Sequence, residues 1–378
     1  MSILISYFRT LEPQMILWLR NLINTDSPSN DKLALDKLAQ HLGDQLSNDG
    51  GTVEIIPNDL GGNHLIARFS GHSRDLKPIL ILGHLDTVWD KGESGRRPAR
   101  LEDGKIFGPG SFDMRGGITL MLAMARYLSL NKSIIKRPVT ILLDSDEEIG
   151  TPTARTLIER EAKECAVTLV LEPCIPGGAL KTARKGTGTF LITATGLAVH
   201  AGIDYYNGVS AIKEIAHQIL ELYNLNDFDK GTTINPGVIR GGSRSNVVAD
   251  RAEIEVDVRV STISEGKKLI QKINTLQTKL KGSEIKIEGG LNRPPLERTK
   301  KVIQLFQRAH QLATELGIEL REGSTGGGSD GCFTAAMGIP TLDGLGPDGA
   351  GAHALDEHII LESLVPRAAL LTHLVINL

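Results

Sequence analysis

The chain has 378 residues, of which 40% are hydrophobic and 23% are charged. A chain of this length is longer than most domains built around a single hydrophobic core, so we expect a globular protein with two domains. The 42 lysines and arginines are balanced by 45 aspartates and glutamates, giving a net charge of −3, and this balance argues against a nucleic-acid partner.

The N-terminal segment and the cysteines indicate the cellular compartment of the protein. Arg9 and Glu12 interrupt the apolar residues of the first 20 positions, a pattern typical of an amphipathic helix rather than a signal peptide or membrane span. The three cysteines, Cys165, Cys174 and Cys332, form no C-x-x-C pair, which argues against a disulfide framework or a cysteine zinc site. We therefore expect a cytoplasmic protein with no membrane partner.

Strands and helices alternate along the first half of the chain. Helical periodicity runs from about residue 11 to residue 46 and breaks at the turn of residues 27–29. Beyond it, apolar runs of buried-strand type alternate with segments of helical spacing. The strands are Ile79–Leu82, Val139–Leu143 and Thr168–Leu171, and the helices are Gly117–Leu128 and Thr153–Lys163. This alternation predicts an α/β domain with a mainly parallel sheet.

The pattern changes between residues 186 and 290. The predicted order is strand, helix, strand, strand, helix, strand, at Thr187–Thr195, Val209–Tyr223, Thr232–Ile239, Arg251–Val260, Glu265–Leu280 and Glu284–Glu288. This order is the signature of a ferredoxin-like α+β domain. Helices at Thr299–Leu316 and at about residues 361–375 then return to the α/β pattern. We predict a discontinuous α/β domain of residues 1–184 and 295–378, with residues 185–294 inserted into it.

Ligand-type residues follow the first predicted strand and precede the first helix after it. In GHLDTV, His84 follows the strand, and Asp86 shares its face of an extended segment and can accept a hydrogen bond from the imidazole. In GPGSFDMRGG, the glycines permit a tight turn that presents Asp113. His84 could also be structural, and Asp113 could instead cap the helix that follows.

Two more strand ends carry carboxylates. The segment DSDEEIG places four carboxylates after a buried strand, where they repel one another unless cations neutralise them; a solvated acidic loop is the alternative. Its adjacent Glu147 and Glu148 suit a division of labour in which one binds metal and the other moves protons. Glu172 ends the next strand, and His353 lies in a late glycine-rich loop in which His358 is a competing candidate.

These residues together predict a metal centre with two ions. Asp113, Glu148 and Glu172 contribute a charge of −3 and two divalent cations contribute +4, so one bridging hydroxide brings the centre to zero. Imidazole and carboxylate ligands without thiolate fit Zn²⁺ and would also accommodate Co²⁺ or Mn²⁺.

The motif series GHLDTV, GPGSFDMRGG, DEEIG, LEP and GAGAH resembles the M20 family of metallopeptidases, and within it the glutamate carboxypeptidase (carboxypeptidase G-like) branch. The similarity runs in order through nearly the whole chain, and Met114 is shared with that branch. The resemblance implies two divalent metal ions, an inserted lid or dimerisation domain, and a homodimer. It implies these roles: Asp113 bridges the metals, His84 and Glu172 complete one, Glu148 and His353 complete the other, Glu147 is the general base, and Asp86 orients His84.

The inserted segment carries further matches to the family. The resemblance implies that His200, in GLAVHAG, reaches the partner subunit's site and stabilises the oxyanion, and that Asn246 and Arg259 hold carboxylate and amide groups of the substrate. It also implies that Gly327 and Gly328 form a backbone wall of the substrate pocket. Without the resemblance, His200 could cap a strand end and Arg259 could form a surface ion pair.

The resemblance implies hydrolysis of an amide bond next to a free carboxylate, with release of a glutamate-like C-terminal amino acid from a small or dipeptide-like substrate. An N-acyl amino acid deacylase of the acetylornithine deacetylase type is the alternative, and the sequence does not separate the two. A nucleotide-binding or dehydrogenase domain is disfavoured, because no G-x-G-x-x-G opens a helix after the first strand and no G-x-x-x-x-G-K-[ST] occurs. A metal-free relative would lack a ligand or Glu147, and all are present.

Overall fold

The computed structural model describes residues 2–73 and 75–378. The chain forms two compact units. The first contains the chain up to Ala183 together with Glu297–Thr325 and Ser329–Leu378, and the second contains Arg184–Leu296 and Gly326–Gly328. Within the described residues, no helix combines the length and apolar character needed to cross a membrane.

The elements before the inserted segment are, in chain order, α1 (Ile3–Ile23), α2 (Lys32–Asn48), β1 (Thr52–Ile56), β2 (His64–Phe69), β3 (Ile79–His84), α3 (Glu93–Arg96), β4 (Arg100–Glu102), β5 (Lys105–Phe107), α4 (Gly116–Leu130), β6 (Val139–Asp144), α5 (Arg155–Glu164), β7 (Val167–Val170) and β8 (Leu180–Arg184). The inserted segment adds β9 (Gly186–Thr195), α6 (Ala211–Tyr223), β10 (Thr233–Gly241), β11 (Arg251–Val260), α7 (Ile263–Asn274) and β12 (Glu284–Arg293). The chain ends with α8 (Lys300–Glu315), β13 (Glu322–Thr325), α9 (Gly331–Ala336), β14 (Thr341–Leu342), β15 (Gly349–Ala350), β16 (His358–Ile360) and α10 (Leu364–Asn377).

A six-stranded sheet forms the centre of the first unit, in the order β1-β2-β6-β3-β7-β14. Strands β6, β3, β7 and β14 are parallel, and β2 and β1 extend the sheet antiparallel. One face packs on α1, α2, α4, α8 and α10, and the other packs on α5 and Phe333. Because both faces are covered, β3 and β6 are buried at every position and read as continuous apolar runs. The predicted α/β class with a mainly parallel sheet is confirmed.

The second unit is a four-stranded antiparallel sheet in the order β10-β11-β9-β12, with α6 and α7 packed on one face. In β11, buried and partly exposed residues alternate, because only one face of the sheet meets the helices. The order of strands and helices is that of a ferredoxin-like domain, as predicted.

Two helix boundaries differ from the sequence prediction by more than a few residues. Helix α1 begins at Ile3, well before residue 11. Helix α7 ends at Asn274 rather than Leu280, because the N–H groups of Lys279 and Leu280 donate to the carboxylate of Glu214 on α6 and are drawn away from helical geometry. The first strands, β1 and β2, were not among the predicted elements; they form an antiparallel pair at the sheet edge.

Candidate metal centre and active site

Four of the predicted site residues lie at the carboxyl ends of neighbouring strands in the central sheet. His84 is the last residue of β3, and Glu172 follows β7 by two residues. Glu147 and Glu148 form a short 3₁₀ turn, Glu147–Ile149, just after β6. Parallel neighbours end at the same edge, so side chains far apart in sequence converge there.

A separate loop presents Asp113. The segment Ser111–Arg115 forms a distorted π-helical turn ahead of α4, and the peptide bond between Asp113 and Met114 is cis. Gly110 has a φ of +69°, and a Cβ there would lie 2.7 Å from Thr87, so this position requires glycine. Asp113 does not cap α4, which begins at Gly116.

The first group of ligand-type residues consists of His84, Asp113 and Glu172. The Nε2 of His84 lies 3.2 Å from Oδ1 of Asp113 and 3.5 Å from Oε1 of Glu172. One ligand atom from each of the three residues lies within 4.8 Å of the others. His84 and Glu172 are buried.

The second group consists of Asp113, Glu148 and His353. The Nε2 of His353 lies 3.4 Å from Oδ2 of Asp113 and 3.3 Å from Oε2 of Glu148. Asp113 therefore belongs to both groups and turns one oxygen toward each histidine. The side chain of His353 is 50% exposed, and its backbone φ of +63° is rare for a residue with a side chain.

Asp86 determines which nitrogen of His84 faces Asp113. The Nδ1 of His84 lies 3.1 Å from the backbone carbonyl of Asp86 and 3.3 Å from its Oδ1. A carbonyl oxygen only accepts, so in the neutral imidazole Nδ1 carries the proton, and Nε2, which faces Asp113 and Glu172, has the lone pair. Asp86 is itself held by Ser29 Oγ at 2.7 Å and by the N–H of Glu148 at 3.1 Å.

The electrostatics of the cluster favour positive charge. Hydrogen bonds to Asp113 and Glu148 raise the pKa of His353 to about 11. Burial opposes a charge on His84, but hydrogen bonds to Asp113, Asp86 and Glu172 outweigh it and its pKa is raised. Burial raises the pKa of Glu148 to about 7 despite its hydrogen bond with His353. Three carboxylates in so small a volume thus hold protons or other cations.

The donor set fits divalent ions. The Oε1 atom of Glu148 is buried and has no hydrogen-bond partner among the described residues, so it keeps a lone pair for a ligand. The remaining donors are carboxylate oxygens and imidazole nitrogens, which suit zinc and similar metals.

Burial and position bear on two alternatives that the sequence left open, the acidic loop and His358. Asp144, Asp146 and Glu147 are buried, so the acidic segment is not a solvated loop. His358 packs against the ring of Phe107, with 5.0 Å between the ring centres, and belongs to neither ligand group. Cys174 is also outside both groups, and burial raises the pKa of its thiol.

His200 and Asn246 lie side by side in the second unit. His200 is exposed and follows β9, and the N–H of Ala201 donates to the carbonyl of Asn246 at 2.9 Å. The N–H of Gly202 donates to Nδ1 of His200 at 3.1 Å, so the neutral imidazole carries its proton on Nε2. In this tautomer Nε2 is a hydrogen-bond donor.

Arg259 and the glycine loop also lie in the second unit. Arg259 donates from Nε and Nη2 to the two carboxylate oxygens of Asp257, each at 2.8 Å, so an ion pair already occupies its guanidinium. Arg184 Nη1 donates to the carbonyls of Gly327 and Gly328 at 3.2 and 2.7 Å.

Two buried charged residues near the ligand groups, Arg115 and Glu357, have no role in the sequence prediction. Arg115 donates to the carbonyl of Leu85 and to Ser27 Oγ, and burial lowers its pKa to about 10. Glu357 accepts from the backbone of the Asp113 loop. Arg115 lies inside the motif DMRGG, which could have drawn attention to it, whereas no local pattern distinguishes Glu357 from its neighbour Asp356.

Comparison with known proteins gives the same family as the motifs. The profile described as "Peptidase family M20/M25/M40" matches residues 80–377.

Individual relatives cover nearly the whole chain. Carboxypeptidase G2 of Pseudomonas sp. (strain RS-16) is 28% identical over 94% of this chain and 87% of its own length. Acetylornithine deacetylase of Edwardsiella ictaluri is also 28% identical, over 96% of this chain and 97% of its own. The crystal structure of aminopeptidase PepT from Bacillus cereus shares the fold, with a TM-score of 0.80 at 23% identity over 97% of this chain and 98% of its own.

Proposed function

Since the chain belongs to peptidase family M20/M25/M40, we propose that this hydrolase contains two metal ions and cleaves an amide bond next to a free carboxylate. The released C-terminal amino acid is glutamate-like. One observation carries the proposal: Asp113 turns its two oxygens toward two histidines that belong to separate ligand groups. Asp113 could therefore supply a ligand atom to each of two ions.

In this proposal, His84, Asp113 and Glu172 would hold one ion, and Asp113, Glu148 and His353 would hold the other. Zinc is the favoured metal, because the ligands combine imidazole with carboxylate, although Co²⁺ or Mn²⁺ also fits. Bound there, the ions would polarise the amide carbonyl and activate the attacking water.

Glu147 is the proposed general base. It is buried, adjacent to the ligand Glu148, and belongs to neither ligand group. Its carboxylate would accept a proton from the attacking water as the oxygen–carbon bond forms, and would deliver that proton to the leaving nitrogen as the carbon–nitrogen bond breaks. Asp86 supports this chemistry indirectly, by holding His84 in the tautomer that leaves Nε2 free to bind metal.

The second unit supplies the proposed substrate contacts. The Nε2–H of His200 is the donor that would stabilise the oxyanion. Asn246 would bind an amide or carboxylate group, and Gly327 and Gly328 would line the pocket. Arg259 would bind the substrate carboxylate, which must displace Asp257 from the guanidinium.

A homodimer through the second unit is part of the proposal. Strand β10 is an edge of its sheet and exposes Val238 and Ile239, and helix α6 exposes Ile212, Leu220 and Tyr223. An exposed edge strand with apolar side chains is prone to pairing, and a second copy related by a two-fold axis would cover it.

A cytoplasmic location is also proposed, supported by three free cysteines that are all buried.

An N-acyl amino acid deacylase remains the second candidate, because the similarity to acetylornithine deacetylase is as strong in identity as the similarity to Carboxypeptidase G2. Both reactions need the same metal ligands and a carboxylate-binding group.

A substrate panel tests the proposal. The protein, reconstituted with Zn²⁺, Co²⁺ or Mn²⁺, is assayed on N-acyl glutamates, dipeptides ending in glutamate, and N-acetylornithine, with and without chelator. We expect hydrolysis of the glutamate compounds, its loss in chelator, and its recovery on adding metal. A preference for N-acetylornithine would favour the second candidate, and full activity in a metal-free sample would refute the metal centre.

A further inference from the structure

We propose that Glu357 is a positioning residue for the metal centre, because its carboxylate fixes the loop that presents Asp113 and ties it to the loop that presents His353. This inference rests on the proposed function, since it concerns the affinity of the same ligands for metal.

The Glu357 carboxylate receives four hydrogen bonds. Its Oε1 accepts from the N–H groups of Phe112 at 3.0 Å and Asp113 at 2.9 Å. Its Oε2 accepts from the N–H of Gly110 at 2.7 Å and from the indole of Trp89 at 2.9 Å. The residue is 1% exposed, so little water competes with these bonds. Three of the four donors are backbone groups of the turn that carries Asp113.

The backbone of Glu357 links the same two loops. The N–H of Gly108 donates to the carbonyl of Glu357 at 3.2 Å, and the next residue, His358, pairs with Phe107 in the β16–β5 ladder. Gly351 approaches so closely that a Cβ there would lie 3.0 Å from the Cα of Glu357. The loop of residues 351–357, which carries His353, therefore starts in contact with Glu357 and ends at Glu357.

A carboxylate suits this position better than a neutral side chain. Two oxygens can accept all four donors, whereas an amide offers one oxygen and turns its NH₂ toward two N–H groups, whichever way it is flipped. The negative charge of Glu357 also lies beside the carboxylate of Asp113, and without bound metal the repulsion between the two charges destabilises the folded protein. Next to bound cations, that charge becomes favourable.

Glu357→Gln provides the test, with Asp356→Asn as the matched control. Both changes remove one negative charge from adjacent residues, but Asp356 is exposed and lies outside the ligand groups. Dissociation constants for Zn²⁺ are measured by competition with a chromophoric chelator, and the visible spectrum of the Co²⁺ form reports coordination geometry. The melting temperature of each protein is measured in chelator.

Glu357→Gln should weaken binding of both ions by about 10–100-fold, because Asp113 belongs to both ligand groups, and should alter the Co²⁺ spectrum. Asp356→Asn should stay within about twofold of wild type. A purely structural role would lower the melting temperature in chelator and leave ion affinity and spectrum unchanged.

Unchanged affinity in Glu357→Gln, or an equal loss in Asp356→Asn, would overturn the inference. If Glu357→Gln does not fold, Trp89→Phe removes one of the four donors and should weaken ion binding several-fold; unchanged affinity there has the same meaning. Wild-type protein that binds no divalent ion would refute the proposed function itself, which distinguishes the two failures.

Discussion

Glu147 and Glu148 are consecutive residues of one 3₁₀ turn, yet only Glu148 belongs to a ligand group. Neighbouring side chains on such a turn point about 120° apart, since it has three residues per turn. The same short segment can therefore offer one carboxylate to a metal and another to a proton.

Substituting these two glutamates separately should divide the two roles. Glu147→Gln should keep both metals and lower kcat by about 10²–10⁴-fold, because proton transfer is lost. Glu148→Gln should lower the occupancy of one metal. Metal analysis and steady-state kinetics on the same samples check both; a loss of metal with Glu147→Gln alone would mean that the roles are reversed.

Arg259 should discriminate substrates by their charge. Arg259→Ala removes a charge-assisted partner of the substrate carboxylate and should cost about 1.5–3 kcal/mol in kcat/KM for the acid, with little effect on its neutral amide. Asp257→Asn is the control, since it removes the competing carboxylate and leaves the guanidinium in place. Equal losses on acid and amide would show that Arg259 does not bind the carboxylate.

At the scale of elements, Glu214 ties helix α6 to the segment that follows α7. Its buried carboxylate accepts from Gln218, from the N–H groups of Lys279 and Leu280, and from Ser283 Oγ. Burial opposes its ionisation, but these hydrogen bonds outweigh it and lower the pKa of Glu214. The charged form therefore stabilises the second unit.

Glu214→Gln should lower the free energy of unfolding by about 2–3 kcal/mol at pH 7, because bonds to a charged acceptor are lost. Since the folded-state pKa lies below the ordinary value of 4.5, the stabilisation is present above that value and disappears as the pH falls through the folded-state pKa. The difference from wild type should shrink in the same range. Urea unfolding at several pH values measures it.

Glu221→Gln is the matched control for Glu214→Gln. Glu221 lies on the same helix but forms an exposed ion pair with Lys279, so its loss should cost less than about 1 kcal/mol. Equal destabilisation by the two variants would contradict the role assigned to Glu214.

At the scale of the whole molecule, a dimer would let His200 act in its partner's site. His200→Ala and Glu147→Ala homodimers should each be nearly inactive. In a mixed dimer, one site lacks both groups and the other has both, because the subunit with Glu147 receives its histidine from the partner. Random re-association makes half of the dimers mixed, so activity should recover to roughly a quarter of wild type.

Subunit exchange must be demonstrated independently, for example with two differently tagged chains. If exchange occurs and activity does not recover, His200 acts within its own chain or has no catalytic role. A monomeric protein with full activity would contradict the dimer itself.

The sequence alone determined the α/β class, the ferredoxin-like segment and the strand ends that carry ligand-type residues. Both faces of β3 and β6 are covered, so these strands appear in the sequence as apolar runs that can be recognised locally. The residue at the end of such a run lies at the carboxyl end of the parallel strands, whatever the rest of the chain does. For the same reason, the two central strands began where the apolar runs predicted, at Ile79 and Val139.

Only the tertiary structure decided which groups meet. His353 rather than His358 faces Asp113, because the β16–β5 ladder directs His358 onto Phe107. Helix α7 ends early because a carboxylate on α6 binds the backbone beyond it. Glu357 contacts the Asp113 loop across 244 residues of sequence and Trp89 across 268. Contacts of this kind depend on how distant segments pack against one another, and the local periodicity of the sequence does not predict that packing.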